Sequence, residues 1–137
     1  MKVLALDYGS ARTGVAVSDP SGTIARPLCV VERAASGAGI ERLAELVRSE
    51  GAERVVVGLP LTLRGEHGVQ ARETESFVEA LRAAVDVPVE SYDERFTTRL
   101  ARARPRDSPS ARSEPDDARA AAHLLSTYLE WKSALPR

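Results

Sequence analysis

The chain contains a single cysteine, Cys29, among its 137 residues. One thiol cannot form an internal disulfide, and it has no second cysteine with which to build a zinc site. No apolar run approaches the roughly 20 residues that a membrane helix needs, and the first residues lack the layout of a signal peptide. These absences favour a cytoplasmic protein without a membrane partner. A hydrophobic content of 43% over this length predicts one compact domain, residues 1–137.

Lysine is almost absent, because Lys2 and Lys132 are the only lysines among the 19 basic residues and all the others are arginines. The codon bias of a GC-rich genome explains this excess well, so composition alone says little about a ligand. The position of the arginines is more informative. They gather at Arg95, Arg99, Arg102, Arg104, Arg106 and Arg112. Guanidinium groups pair well with phosphate, so this stretch favours a polyanionic ligand even though the net charge is −1.

Hydrophobic periodicity and turn residues predict a chain in which strands and helices alternate. The predicted strands are 2–7, 15–18, 23–31, 54–60 and 87–92, and the predicted helices are 39–50, about 69–85, 97–104 and one from 117 onward. Gly51 is predicted to end the first helix. Residues 9–14 and 19–22 are predicted turns, and residues 105–115, rich in proline, serine and charge, are predicted to form a mobile loop.

This order of elements predicts an α/β fold with a five-stranded mixed sheet flanked by helices. The first three strands, joined by tight turns, form an antiparallel meander. Strands one, four and five run parallel through helical crossovers. Asp7 and Gly58 then lie near carboxyl ends of parallel strands, and Glu94 lies just beyond a third. Open α/β sheets bind their ligands at that edge.

Three acidic residues far apart in sequence stand where a predicted strand or helix begins or ends. Asp7 closes the first strand, Glu94 follows the fifth, and Asp117 opens the last helix. A carboxylate at the end of a buried strand loses hydration and needs a compensating partner such as a cation. If the three elements converge, these residues form a divalent-metal site of the kind that cleaves phosphodiester bonds.

Each motif also has a simpler interpretation. The sequence Asp7-Tyr8-Gly9 can merely end a strand, and it also resembles the first phosphate loop of actin-like ATPases, although those need two such lobes. Glu94 can be interpreted simply as an acid that stabilises a helix N-terminus. The same interpretation applies to the pair Asp116–Asp117. We expect His67 to be a solvated loop residue and His123 to pack. We expect Tyr8 and Trp131 to be core or rim aromatics rather than platforms for base stacking.

Four segments together resemble the YqgF (RuvX) family, in the right order and over nearly the whole chain. They are DYGSARTGVAVSD at 7–19, GLPL at 58–61 followed by Gly65, DERFTT at 93–98 with Ala101, and DARAAAHLLSTYL at 117–129. The resemblance implies an RNase H-like fold and a divalent-metal-dependent nuclease. Members of the family are described as nucleases that mature the 5′ end of pre-16S ribosomal RNA or as Holliday-junction resolvases.

Carried over position by position, the resemblance implies that Asp7, Glu94 and Asp117 are the catalytic metal ligands, with Asp116 the neighbouring alternative to Asp117. Hard oxygen ligands suit Mg²⁺ or Mn²⁺ and disfavour zinc. As a hypothesis, Asp7 bridges one or two ions that activate a water molecule and stabilise the leaving oxygen. The candidates for holding the scissile strand are Arg12, Arg95, Thr98 and Arg112. The family often has lysines before its last acid, whereas this chain offers Arg112 there.

Two other functions remain open at this point. One is a Holliday-junction resolvase, which would need a homodimer to cut two strands symmetrically. Between the two nucleic acids, we favour RNA over branched DNA as the substrate. A non-catalytic nucleic-acid-binding factor belongs to a different class. The three acids argue against it, because a pure binder gains nothing from carboxylates close to phosphate.

Overall fold

The computed structural model describes residues 1–59, 69–93 and 116–134. Within them lie five strands and three helices: β1 (Val3–Asp7), β2 (Arg12–Ser18), β3 (Ala25–Glu32), α1 (Gly37–Glu50), β4 (Arg54–Leu59), α2 (Val69–Ala84), β5 (Val89–Asp93) and α3 (Asp116–Ala134). The predicted helix 97–104 and the predicted loop 105–115 lie outside the described residues. In the described part of the chain, no helix is long and apolar enough to cross a membrane.

The five strands form one mixed sheet with the spatial order β3-β2-β1-β4-β5. Strand β1 is antiparallel to β2, and β2 is antiparallel to β3. On its other side β1 is parallel to β4, and β4 is parallel to β5. The predicted combination of an antiparallel meander with parallel strands is therefore confirmed. The carboxyl ends of β1, β4 and β5 share one edge of the sheet, which is the edge where such folds bind ligands.

The sheet has an apolar layer on each face. On one face, Leu4 and Leu6 pack with Leu43 of α1 and with Phe77 and Leu81 of α2. On the other face, the second apolar cluster contains Val3, Ala5, Ala16, Val56, Tyr92, Ala121, Leu124, Leu125 and Tyr128. Adjacent residues of β1 thus point to opposite layers, as the period of two in a strand requires. Each fully buried leucine contributes about 1.5–3 kcal/mol relative to an exposed one.

Helix α1 begins and ends as local sequence chemistry predicts, although it starts two residues earlier than expected. Ser36 is the N-cap, and its Oγ accepts a hydrogen bond from the Gly39 amide at 3.1 Å. Gly51 ends the helix with φ 66° and ψ 33°, a left-handed conformation that costs little without a Cβ atom. The predicted stop at Gly51 is therefore confirmed.

Strand boundaries differ from the prediction at one place that bears on the site. The turn expected over 9–14 is shorter, because β2 already begins at Arg12. Arg12 and Gly14 belong to the strand ladder, where Arg12 lies opposite Glu32 of β3 and Gly14 lies opposite Asp7 of β1. The glycine at 14 therefore serves a strand contact rather than a turn.

Candidate active site

Asp7 is the last residue of β1, and its place in the strand sets the direction of its side chain. It has the same parity as Val3 and Ala5, which pack in the α3-side cluster. Side chains two residues apart lie on the same face of a strand. The carboxylate of Asp7 is therefore presented on the α3 side of the sheet, where it is half-buried.

Gly14 brings the start of α3 to the same point. It lies directly opposite Asp7 in the β1–β2 ladder. A Cβ atom built on Gly14 would lie 1.7 Å from the carbonyl oxygen of Asp117 and 2.2 Å from its carbonyl carbon. Only a glycine allows the helix backbone to approach a strand this closely. Asp7 and Asp117, 110 positions apart in sequence, thus have main chains that meet at one glycine.

Asp117 lies in the first turn of α3, where the helix dipole favours negative charge. Its Oδ2 atom is 3.3 Å from Nε of Arg12, and the two side chains are 35% and 66% exposed. Arg12 is the first residue of β2 and has the same parity as Gly14. Its side chain therefore belongs to the α3 face of the sheet, as the ion pair requires.

Tyr8 covers the other side of this strand end. Its ring stacks on Phe77 of α2 with a centroid distance of 4.5 Å and an interplanar angle of 25°. Burial, reinforced by the nearby carboxylate of Glu73, raises the pKa of Tyr8 above its ordinary value. The phenol therefore stays protonated at neutral pH and adds no negative charge beside Asp7. The packing predicted for Tyr8 is confirmed.

Several predicted site residues are not among the residues that the structure describes. Glu94, Arg95, Thr98 and Arg112 lie outside the described residues, as does His67. Among residues 1–59, 69–93 and 116–134, no three acidic, histidine or cysteine side chains are grouped so that they could hold a metal ion. The two described acids nevertheless supply carboxylate oxygens from converging main chains, which is the donor chemistry that Mg²⁺ and Mn²⁺ prefer.

Two residues that were expected to serve packing rather than the site have environments that match this prediction. His123 is half-buried on α3. Trp131 is 41% exposed, and its ring centroid lies 5.7 Å from that of Tyr92 and 6.0 Å from that of Tyr128. Trp131 is therefore a rim aromatic that continues a buried tyrosine pair, as expected.

A second arginine–carboxylate pair lies toward the far end of α3. Nη1 of Arg54 is 3.2 Å from Oε1 of Glu90. The buried Tyr128 hydroxyl donates to the same oxygen of Glu90. Burial and this hydrogen bond raise the pKa of Tyr128 to about 12. No local motif marks this group, since its members come from β4, β5 and α3.

Comparison with known proteins identifies relatives of this chain. Two bacterial relatives carry the name "Putative pre-16S rRNA nuclease". The one from Rubrobacter xylanophilus is 47% identical over 131 residues, covering 94% of this chain and 92% of the relative. The one from Chloroflexus aggregans is 44% identical over 131 residues, covering 93% and 92%.

Solved structures agree on the fold. RuvC from Thermus thermophilus, in complex with a Holliday junction substrate, superposes with a TM-score of 0.68 at 18% identity and covers 98% of this chain and 96% of its own. The fowlpox virus Holliday junction resolvase has a TM-score of 0.55 at 10% identity, covering 96% and 99%. At such low identity these likenesses show the fold alone, which is RNase H-like. The family model described as "RuvX: Holliday junction resolvase" matches residues 1–131, and the chain therefore belongs to the RuvX family.

Proposed function

We propose that this protein is a divalent-metal-dependent nuclease in which Asp7, Glu94 and Asp117 hold Mg²⁺ or Mn²⁺. The observation that carries the proposal is the meeting of Asp7 and Asp117 at Gly14, where a Cβ atom would lie 1.7 Å from the Asp117 carbonyl oxygen. A strand glycine at this point lets the main chains that carry two acids from opposite ends of the sequence approach each other closely.

The third ligand follows β5 directly in sequence. Strand β5 is parallel to β4 and ends at Asp93, at the same edge of the sheet as Asp7. Glu94 is the next residue, which supports its inclusion in the ligand set. When bound, the metal ion would supply activation of water and stabilisation of charge on phosphate oxygens.

The chain's own residues would orient the substrate. Arg12 supplies a guanidinium on the face that carries both described acids, and such a group recognises phosphate oxygens. Arg95, Thr98 and Arg112 are the further candidates for this role. Tyr8, on the α2 side of the same strand end, keeps its proton and does not add to the repulsion of a phosphodiester.

We further propose RNA as the substrate and the 5′ end of pre-16S ribosomal RNA as the place of action, in the cytoplasm. The support is the name shared by relatives that are 44% and 47% identical over nearly the whole chain. Resolution of Holliday junctions is the second candidate, and it is favoured by the description of the matching family. That reaction would call for a homodimer with two sites.

The test compares the wild type with Asp7→Asn and with Asp86→Asn in Mn²⁺ and in Mg²⁺. Asp86 is a matched control, because it is an exposed aspartate just before β5, at the opposite edge of the sheet. The substrates are end-labelled single-stranded RNA, a pre-16S ribosomal RNA fragment and a four-way DNA junction. We expect cleavage of RNA by the wild type and by Asp86→Asn, and a fall to background in Asp7→Asn with the circular dichroism spectrum unchanged.

Other outcomes separate the alternatives. Preferential cutting of the junction, with a dimer in analytical ultracentrifugation, would replace RNA maturation by junction resolution. Cutting by Asp7→Asn at the wild-type rate would remove Asp7 from the site. Binding of nucleic acid without cleavage by the wild type in either metal would indicate a non-catalytic factor.

A further inference from the structure

Arg12 occupies an unusual position for a phosphate-binding residue, because it already pairs with one of the proposed metal ligands. Its Nε lies 3.3 Å from Oδ2 of Asp117. A guanidinium held on this carboxylate opposes the approach of a divalent cation to the same oxygens, because like charges repel. Arg12 and a divalent cation therefore compete for the carboxylate of Asp117.

The main chain at Arg12 is fixed firmly. Its carbonyl oxygen lies against Gly9 so closely that a Cβ atom on Gly9 would be 2.4 Å away. Thr13 Oγ1 accepts a hydrogen bond from the Gly9 amide and donates one to the Gly9 carbonyl, both at 3.4 Å. The Ala11 carbonyl accepts from the Arg33 amide at 3.0 Å. The turn between β1 and β2 thus holds the Cα atom of Arg12 in place.

The side chain of Arg12 is free to move by comparison. It is 66% exposed, and exposed ion pairs contribute little to stability because water and salt screen them. Glu32 lies directly opposite Arg12 in the β2–β3 ladder and is exposed. Side chains directly opposite each other across two strands are within reach of each other. The guanidinium can therefore leave Asp117 without losing every acidic neighbour.

We propose that Arg12 occupies Asp117 in the metal-free protein and is displaced when a divalent cation binds, so that metal loading releases a guanidinium for the substrate phosphate. This inference rests on the proposed function, in which Asp117 is a metal ligand. Linkage then requires the converse as well. A phosphodiester that draws Arg12 away from Asp117 raises the affinity of the site for metal by the same factor.

The test measures Mn²⁺ binding to the nucleic-acid-free protein by isothermal titration calorimetry, for the wild type, Arg12→Gln and Arg26→Gln. Arg26 is a matched control. It too is a strand arginine, 59% exposed, and it pairs with Glu50 at 3.7 Å. We expect Arg12→Gln to bind Mn²⁺ about two- to fivefold more tightly than the wild type, as removal of an exposed competing ion pair implies. Arg26→Gln should bind Mn²⁺ with wild-type affinity.

A second measurement follows the released side chain. The affinity for a short single-stranded RNA is measured by fluorescence anisotropy in Ca²⁺ and in EDTA, for the same three proteins. We expect metal to tighten RNA binding less in Arg12→Gln than in the wild type or in Arg26→Gln.

Equal Mn²⁺ affinity in the wild type and Arg12→Gln would overturn the displacement and leave the nuclease assignment standing, since the Asp7→Asn cleavage assay tests that assignment separately. A crystal structure with Mn²⁺ bound in which Arg12 still contacts Asp117 would overturn it too. A wild-type protein that binds no Mn²⁺ would remove both proposals.

Discussion

The two arginine–carboxylate pairs at either end of α3 have the same chemistry and different surroundings. Asp117 and Glu90 are each 35% exposed, but Arg12 is 66% exposed whereas Arg54 is 24% exposed. Glu90 also accepts from the buried Tyr128 hydroxyl. The two pairs are separated along the helix by about 16 Å, the rise between Asp117 and Tyr128.

The difference shows how an ion pair can be either structural or exchangeable. At the Tyr128 end, an arginine and a phenol from two elements both donate to one carboxylate oxygen of a third, so removing either donor leaves a partly buried carboxylate with fewer hydrogen bonds. At the Asp117 end, water already reaches both partners, so each can exchange its partner for another ion at little cost. The more exposed pair is the one that lies at the edge of the sheet where Asp7 ends β1.

The largest expected effect comes from disrupting the main-chain packing at the Asp117 end of α3 while leaving the charges of Arg12 and Asp117 unchanged. Gly14→Ala would place a methyl group 1.7 Å from a main-chain oxygen that no side-chain rotation can move aside. We expect a loss of about 3 kcal/mol in the free energy of unfolding. Because the start of α3 must shift away from β2, we also expect a loss of metal-dependent cleavage. Urea denaturation and the RNA cleavage assay measure the two effects.

Gly37→Ala is the matched control for that variant. Gly37 is the first residue of α1, and a Cβ atom there would meet nothing within 4 Å. We expect a gain of about 0.4–1 kcal/mol and unchanged cleavage. Wild-type stability in Gly14→Ala would show that α3 does not need the strand glycine.

The next prediction compares the contributions of the two ion pairs to the free energy of unfolding. We expect Arg54→Gln to lower the free energy of unfolding by about 1–3 kcal/mol, because Glu90 would keep a charge with fewer donors in a partly buried place. We expect Arg12→Gln to lower it by less than about 1 kcal/mol, as for other exposed pairs. Urea denaturation of the two variants side by side decides the matter. Equal losses would mean that burial does not separate the pairs.

The smallest effect tests the phenol that distinguishes the structural pair. We expect Tyr128→Phe to cost about 1 kcal/mol at pH 8, because Glu90 loses one donor. The folded-state pKa of Tyr128, raised from 10.0 to about 12, means that folding favours the protonated phenol. This contribution is complete below pH 10 and is lost as the pH rises toward 12.

Denaturation at pH 8 and at pH 11 measures that dependence. The stability gap between the wild type and Tyr128→Phe should narrow at the higher pH. A gap that stays constant between the two pH values would show that the folded protein does not hold the Tyr128 proton more tightly than the unfolded chain.

The fold was largely predictable because its determinants are local. The continuous apolar run of β1, the helical spacing in α1 and the glycine stop at Gly51 each depend on a few neighbouring residues. The handedness of crossovers and the short turns then leave few ways to arrange five strands, and the predicted parallel and antiparallel strand directions are the observed ones. Boundaries were less accurate, as at Arg12, because ladder pairing rather than local sequence decides where a strand begins.

The candidate site was predictable in its residue types and not in its contacts. Asp7 and Asp117 stand out as acids at element ends, but that they meet at Gly14 depends on the packing of a helix against a strand more than 100 positions away. The Arg12–Asp117 pair and the group of Arg54, Glu90 and Tyr128 are contacts of the same long-range kind. Periodicity carries no information about such contacts, so only the structure reveals them.

During translation, the β1–β2 hairpin leaves the ribosome long before α3 has been made. Its contacts are local in sequence, so they can form early. Gly14 then offers a bare strip of backbone until the last helix arrives to cover it. A ribosome-bound fragment therefore holds Asp7 without Asp117. If both acids are metal ligands, the nascent chain cannot cleave the RNA that surrounds it. Cleavage then begins only after the final helix has been synthesised.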